Sequence, residues 1–166
     1  MAEAGVTAIL FADDYGSNTA PLISPEHFRR HVLPCTARMV KELRKLGIPV
    51  IMHSDGCLKQ LIAHLVASDI SAYHPVERAA GMDIGEVKKT YGKKIALIGN
   101  VNNKTTLVTG SPEDVEEEVK ECISKAAPGG GYILASDHSL HDDIPNGNVF
   151  ALYDAGRRYG TYPIRI

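Results

Sequence analysis

Val50-Ile51-Met52-His53-Ser54-Asp55-Gly56 joins a short apolar run directly to a cluster of ionisable residues. The arrangement recurs four more times, and each apolar run is short and uninterrupted, as in strands that are covered on both faces. The five strands predicted on this basis are residues 6–12, 49–53, 70–73, 95–99 and 132–136. The other four runs end in the clusters Asp13-Asp14-Tyr15, His74-Pro75, Gly99-Asn100 and Ser136-Asp137-His138.

Helix signals lie between the predicted strands. Ser24-Pro25-Glu26 and Ser111-Pro112-Glu113 each combine a capping serine with a proline suited to the first helical turn. Gly47 and Gly92 follow periodic stretches and are typical of helix ends. The predicted helices are 24–47, 57–68, 83–91, one that starts at 111, and 146–159. Strands and helices therefore alternate, which predicts an α/β fold with a parallel sheet and right-handed crossovers.

Two closures are compatible with this order. One is an open doubly wound sheet, and the other is part of an eight-stranded barrel, because five strands cannot close a barrel alone. In both, the carboxyl ends of all strands lie at one edge of the sheet. The five polar clusters are therefore expected to meet there and to form the functional site.

Length and composition restrict the class of protein. The chain has 166 residues, with 44% hydrophobic and 23% charged residues, which predicts one globular domain over residues 1–166. A net charge of −2 predicts no nucleic-acid partner, and no apolar run has the roughly 20 residues of a membrane span. The first residues carry no secretion signal, and three cysteines at unrelated spacings favour a reducing compartment, so we expect a cytoplasmic protein.

His53 and Asp55 are the first candidates for chemistry. Residues i and i+2 of an extended segment project to the same side, so this imidazole and this carboxylate could share one ion. The alternative is that both form hydrogen bonds to neighbouring loops.

Asp13 and Asp14 form a second pair, of which only one can face the barrel axis because side chains alternate along a strand. A carboxylate there could accept hydrogen bonds from substrate N–H groups or act as a base. The alternative is that Asp14 caps the following loop.

Four further residues at the strand ends are predicted to contact substrate. His74 could donate a hydrogen bond into the site, and Asn100 is similar, although a structural role is as compatible with either. The other two, Tyr15 and Asp137, belong to the first and last clusters.

The chain closely resembles the C-terminal part of the uroporphyrinogen decarboxylase superfamily, which also contains cobalamin-dependent (corrinoid) methyltransferases. The resemblance covers nearly all residues, and its strength lies in the order and spacing of six motifs rather than in any one of them. It rests on residues 11–17, 23–26, 53–56, 81–83, 110–115 and 127–134, with Ile144-Pro145 and Asn148. It implies a partial (β/α)8 TIM barrel made of about five parallel βα units, with the active site at the carboxyl ends of the strands.

The resemblance also implies roles for individual residues. The methyltransferases bind zinc through a His-x-Cys pair and a late cysteine. His53 stands at the position of that histidine, Asp55 at the first cysteine and His138 near the second, which implies a site for zinc or another divalent metal. His138 also falls where the decarboxylases have a substrate-contacting histidine, and Asp13 falls at one of their polar substrate contacts. We therefore expect Asp13, Asp14 and His138 to be catalytic.

Three functions remain open at this point. The first is metal-assisted methyl transfer to a small-molecule substrate from a corrinoid carried by a separate protein. The second is decarboxylation of uroporphyrinogen III in porphyrin and haem biosynthesis, which needs no metal or other cofactor. The third is a chain that is inactive on its own, because the family's substrate-binding arginines and a key aspartate belong to an N-terminal half.

An unpaired strand edge favours pairing with another chain, which predicts a homo-oligomer.

Overall fold

Five parallel strands form one sheet, and each strand pairs with the strand that precedes it in the sequence. The computed structural model describes residues 5–166, so residues 1–4 of the predicted domain lie outside the described residues. The strands are β1 (Ile9–Ala12), β2 (Val50–His53), β3 (Ala72–His74), β4 (Ala96–Val101) and β5 (Tyr132–Ser136). A doubly wound sheet reverses its strand order at a switch point, whereas this order runs from β1 to β5 without reversal. The predicted α/β fold is confirmed, and of the two closures the partial barrel is correct.

Helices follow each of the five strands. They are α1 (Pro25–His27), α2 (Leu33–Lys45), α3 (Ile62–Ala67), α4 (Ile84–Tyr91), α5 (Thr106–Thr109), α6 (Pro112–Ala126) and α7 (Asn146–Tyr159). A π-helical turn, Phe28–Val32, joins α1 to α2, and a 3-10 turn, Arg78–Ala80, precedes α4. No helix among residues 5–166 is both long and apolar enough to cross a membrane.

Side-chain caps explain where three of the helices begin. The Ser24 hydroxyl accepts the backbone N–H of His27, and the Asp83 carboxylate accepts that of Glu86. At α6, Ser111 and Asp114 bond to each other's backbone N–H groups in a capping box. These caps satisfy N–H groups that have no partner inside the helix, so the starts read from the sequence are confirmed.

The two faces of the sheet differ. Side chains such as Met52, Tyr73 and Leu97 point towards the helices and are fully buried in one core. The strand register places Leu10 beside Ile51 and Ile98 beside Ile133 on the opposite face, where Leu10 is 56% and Ile133 53% exposed. That face corresponds to the interior of a barrel, and the strands present it as an apolar surface.

Candidate functional site

Two histidines meet where β2 and β3 end. The register pairs His53 with His74, and their Nδ1 atoms lie 2.7 Å apart. The rings are stacked, with their centroids 4.9 Å apart. One Nδ1 must therefore carry a proton and donate a hydrogen bond to the other.

Two carboxylates face the other nitrogen of His53. Its Nε2 lies 3.7 Å from Oδ1 of Asp14 and 3.8 Å from Oδ2 of Asp55. One ligand atom from each of these three residues lies within 4.8 Å of the other two. Asp14 also accepts the backbone N–H of Asp55 at 2.9 Å, which ties the loop after β1 to the loop after β2.

His138 approaches the same carboxylate from the loop after β5. Its Nε2 lies 3.1 Å from Oδ2 of Asp55, and its Nδ1 accepts the backbone N–H of Ser139 at 2.9 Å. Because Nδ1 is an acceptor, the ring proton of neutral His138 lies on Nε2, which donates to Asp55. The structure therefore brings His53, Asp55 and His138 together, with His138 placed to orient Asp55.

Alternation along the chain after β2 creates this arrangement. His53 and Asp55 face the site, whereas Ser54 between them is fully buried. The Ser54 hydroxyl accepts the backbone N–H of Tyr15, and its carbonyl accepts the hydroxyl of Tyr73. These bonds fix Ser54 on the core side, so its two neighbours are held on the other side.

Burial shifts the protonation of the cluster. Loss of solvent raises the pKa of Asp55, and the charges of His53 and His138 oppose that rise. Burial lowers the pKa of His74 to about 4, with repulsion from the same two histidines as a smaller cause. His74 is therefore neutral at pH 7, and its Nδ1 can accept a hydrogen bond from Nδ1–H of His53, which leaves Nε2 of His53 without a proton.

The donor set fits a divalent cation. One imidazole nitrogen and two carboxylates offer ligands that zinc accepts, and a set without thiolates is also suited to harder divalent ions. Within residues 5–166, the buried Oδ1 of Asp55 has no hydrogen-bond partner, so this carboxylate is incompletely satisfied. His74 bonds Nδ1 of His53, and His138 bonds Oδ2 of Asp55, as residues that orient the ligands of a metal ion do.

The structure places the other predicted site residues differently. Asp14 rather than Asp13 belongs to the cluster, and Asp13 is exposed. Burial raises the pKa of the neighbouring Tyr15, and the charge of Asp13 adds a smaller rise. Tyr15 is buried edge-on against Phe28. The catalytic role of Asp13 and the substrate contact of Tyr15 stay predictions, and neither residue takes part in the cluster as described.

Asn100 and Asp137 are both buried at the ends of neighbouring strands. The Asn100 amide donates to the carbonyl of Val76 at 2.9 Å, which ties β4 to the loop after β3. One oxygen of Asp137 accepts the backbone N–H of Asn103 at 2.9 Å, and the other, in the part of the chain described, has no partner. Both side chains thus have structural contacts, and a substrate contact stays a prediction.

Glu77 and Lys104 were not among the predicted residues, although they adjoin the cluster. Oε1 of Glu77 lies 2.5 Å from Nζ of Lys104, and Oε2 accepts the backbone N–H of Gly56 at 2.7 Å. The available sequence signal was weak, since Glu77 lies three residues past the end of β3, in a Pro-Val-Glu context that gives no motif.

Comparison with known proteins gives a consistent relationship. The family model for uroporphyrinogen decarboxylase (URO-D) matches residues 1–159. The chain is 26% identical over 162 residues to a uroporphyrinogen decarboxylase of Syntrophotalea carbinolica, covering 95% of this chain and 43% of that protein. It is 27% identical over 155 residues to that of Methylococcus capsulatus, covering 92% of this chain and 41% of that protein.

A solved structure shares the fold. A methyltransferase from Methanosarcina mazei superimposes with a TM-score of 0.78 at 23% identity, covering 96% of this chain and 44% of that one. The chain thus spans less than half the length of the proteins that it matches.

Proposed function

The chain belongs to the uroporphyrinogen decarboxylase family, and we propose that the intact protein carries out metal-assisted, corrinoid-linked methyl transfer. The observation that carries this proposal is the convergence of Asp14, His53 and Asp55, with one ligand atom of each within 4.8 Å of the others. In this proposal these three residues hold a divalent metal such as zinc. His138, which the sequence suggested as a ligand, instead orients Asp55 by donating from Nε2.

The residues around the proposed ligands control protonation and orientation. A bound divalent metal would act as a Lewis acid that lowers the pKa of a thiol or hydroxyl on the methyl acceptor. Neutral His74 accepts a hydrogen bond from Nδ1–H of His53 and so directs the unprotonated Nε2 towards the two carboxylates. The bond from His138 restricts rotation of Asp55.

The partner in this proposal is a separate protein that carries the methylated corrinoid. It would dock over the carboxyl ends of the strands, because the cluster lies at that edge of the sheet. This assignment comes from the methyltransferase branch of the family, and the methyltransferase from Methanosarcina mazei supports it only through a shared fold.

The second candidate is decarboxylation of uroporphyrinogen, the activity named for the curated relatives. Charge argues against it for this part of the protein. Four carboxylates lie in or beside the cluster, and Lys104 forms an ion pair with one of them, Glu77. The four are Asp14, Asp55, Glu77 and Asp137. A tetrapyrrole rich in carboxylates would be repelled here, whereas a divalent cation would be attracted.

Metal analysis of the purified protein tests the proposal. We expect close to one zinc or cobalt ion per chain after equilibration with the metal, and about a 100-fold loss of affinity in His53→Ala. His64→Ala is the matched control, because His64 lies in α3 and outside the cluster. Its affinity should equal that of the wild type.

The other outcomes separate the alternatives. A folded protein that binds no divalent metal but binds uroporphyrinogen would support decarboxylation instead. Metal binding that survives His53→Ala would contradict the ligand set. A chain that binds neither metal nor tetrapyrrole until it is mixed with the N-terminal half of a relative would indicate that it is inactive alone.

A further inference from the structure

We propose that the ion pair between Glu77 and Lys104 fixes the turn that carries Asp55 and thereby sets the affinity of the cluster for a divalent cation. The inference rests on the proposed metal site, but neither residue belongs to the ligand set. Both are positioning residues, and they come from the loops after β3 and β4.

Glu77 contacts the turn directly. Its side chain is 4% exposed, and its Oε2 accepts the N–H of Gly56, the residue that follows Asp55. A buried carboxylate needs a charged partner and several hydrogen bonds to remain ionised. Lys104 provides the opposite charge, and Gly56 donates a backbone hydrogen bond. The side chain of Glu77 therefore links the position of the turn to the position of Lys104.

The turn at Asp55 and Gly56 is also restrained on the side away from Glu77. Gly56 has φ +88°, and a Cβ atom built on it would lie 2.4 Å from the backbone carbon of Gly16. The backbone N–H of Cys57 also donates to the carbonyl of Ser17 at 2.7 Å. The turn is therefore held between the loop after β1 on one side and Glu77 on the other, and Asp55 lies at its start.

The loop that carries Lys104 is itself fixed by hydrogen bonds. The Asn102 side chain accepts the backbone N–H groups of Lys104 and Thr105 at 2.8 and 2.9 Å. Glu118 of α6 accepts the backbone N–H of Asn102 at 2.7 Å and also bonds the hydroxyl of Thr106. Glu77 raises the pKa of Lys104, which keeps its ammonium group charged. The ion pair thus connects Asp55 to a rigid support on α6.

Charge and position make opposite predictions for Lys104. If only the charge of the surroundings mattered, removal of a cation near these four carboxylates would strengthen binding of Zn²⁺. If the pair positions Asp55, its removal releases Glu77 and the turn, and binding weakens. The sign of the change therefore distinguishes a positioning role from a purely electrostatic one.

The experiment measures Zn²⁺ affinity and amide hydrogen exchange on the full 166-residue chain. Glu77→Asp keeps the charge but shortens the side chain, so it cannot reach both Gly56 and Lys104. We expect Glu77→Asp and Lys104→Met each to bind Zn²⁺ about tenfold more weakly. We also expect the Gly56 amide to exchange at least about tenfold faster in both. Glu121→Asp is the matched control, because Glu121 forms its ion pairs with Arg78 and Lys125 on the helical side.

Each result decides one question. Wild-type affinity in Glu77→Asp, or tighter binding in Lys104→Met, would overturn the inference and leave the metal site intact. A wild-type chain that binds no Zn²⁺ would overturn the proposed function, and faster Gly56 exchange in Glu77→Asp would then still support the positioning role. If Lys104→Met does not fold, Glu77→Asp alone carries the comparison, because it leaves no charge unpaired.

Discussion

Asp137 illustrates how burial acts on one carboxyl group beside the cluster. Its side chain is fully buried, and loss of solvent raises its pKa above the usual value of 3.8. A raised pKa means that the folded protein resists ionisation of this group. Its contribution to stability is therefore complete below pH 3.8 and is lost as the pH rises through the folded pKa.

Asp137→Asn should for this reason increase stability at neutral pH. The amide oxygen can still accept the backbone N–H of Asn103, and the buried charge is removed. We expect the free energy of unfolding at pH 7 to rise by about 1 kcal/mol, and this gain to vanish below pH 4. Urea unfolding at pH 7 and at pH 3.5 measures both values. An equal difference at the two pH values would show that the charge of Asp137 is not the cause.

At Gly56, the loop after β2 lies very close to the loop after β1. Gly56→Ala would combine a positive φ with a clash against the backbone of Gly16, so we expect a loss of about 3 kcal/mol. Gly129→Ala is the matched control, because Gly129 has φ +80° but nothing within 4 Å of a built Cβ atom. It should cost only about 1 kcal/mol. Similar losses in both variants, measured by denaturant unfolding, would show that the close approach is not important.

At the scale of elements, Asn148 connects three parts of the chain. It lies near the start of α7, is buried, and donates from Nδ2 to the carbonyls of Leu107 in α5 and Gly110 after it. These carbonyls would otherwise be buried near a helix end without a donor. One side chain therefore holds α7 against the segment that leads into α6.

Asn148→Ala should destabilise this connection. Two carbonyls lose their donor, so we expect the free energy of unfolding to fall by about 2–3 kcal/mol. Asn146→Ala changes the same residue type two positions earlier, where the side chain is exposed, and should have an effect below about 0.5 kcal/mol. Thermal and urea unfolding of both variants provide the comparison, and equal effects would contradict the structural role of Asn148.

The sequence predicts the elements best where the signals are local. The start of α6 at Pro112 and the full range of α7 follow from caps and periodicity, and both are confirmed. The first strand was predicted from residue 6 but begins at Ile9, because its partner β2 begins only at Val50. The predicted helix 57–68 is confirmed only over Ile62–Ala67, since Leu58 starts a tight turn that leads into it. Strand length depends on pairing, which a single sequence does not contain.

The candidate site was predictable to a similar degree. The convergence of His53, Asp55 and His138 follows from the parallel order of the strands. The choice of Asp14 over Asp13, and the contact of Glu77 with Gly56, depend on the paths of loops, and no local signal specifies those paths.

At the scale of the whole molecule, the uncovered face of the sheet predicts self-association. Leu10 and Ile133 lie in the two outer strands, β1 and β5, on the face opposite the helices, and both are more than half exposed. Apolar surface and unpaired strand edges favour contact with another chain. We expect the 166-residue chain to form a homo-oligomer through this face.

The double variant Leu10→Glu/Ile133→Glu should weaken that association by about tenfold or more, because each face would then carry two like charges. Leu46→Glu is a matched control, since Leu46 is equally exposed but follows α2 on the helical side. Sedimentation velocity across a range of concentrations measures the change. A wild-type chain that sediments as a monomer at every concentration would contradict the prediction.

The uninterrupted strand order affects how the protein acquires its structure during synthesis. Every pairing joins consecutive strands, so each new βα unit can dock on the one made before it, with only a modest loop-closure cost. His53 and Asp55 would thus be in place while the ribosome is still adding β4 and β5. His138 emerges later and supplies the last bond to Asp55. A nascent chain would therefore hold the proposed cation ligands before it could orient them, so in this proposal metal loading would precede completion of the fold.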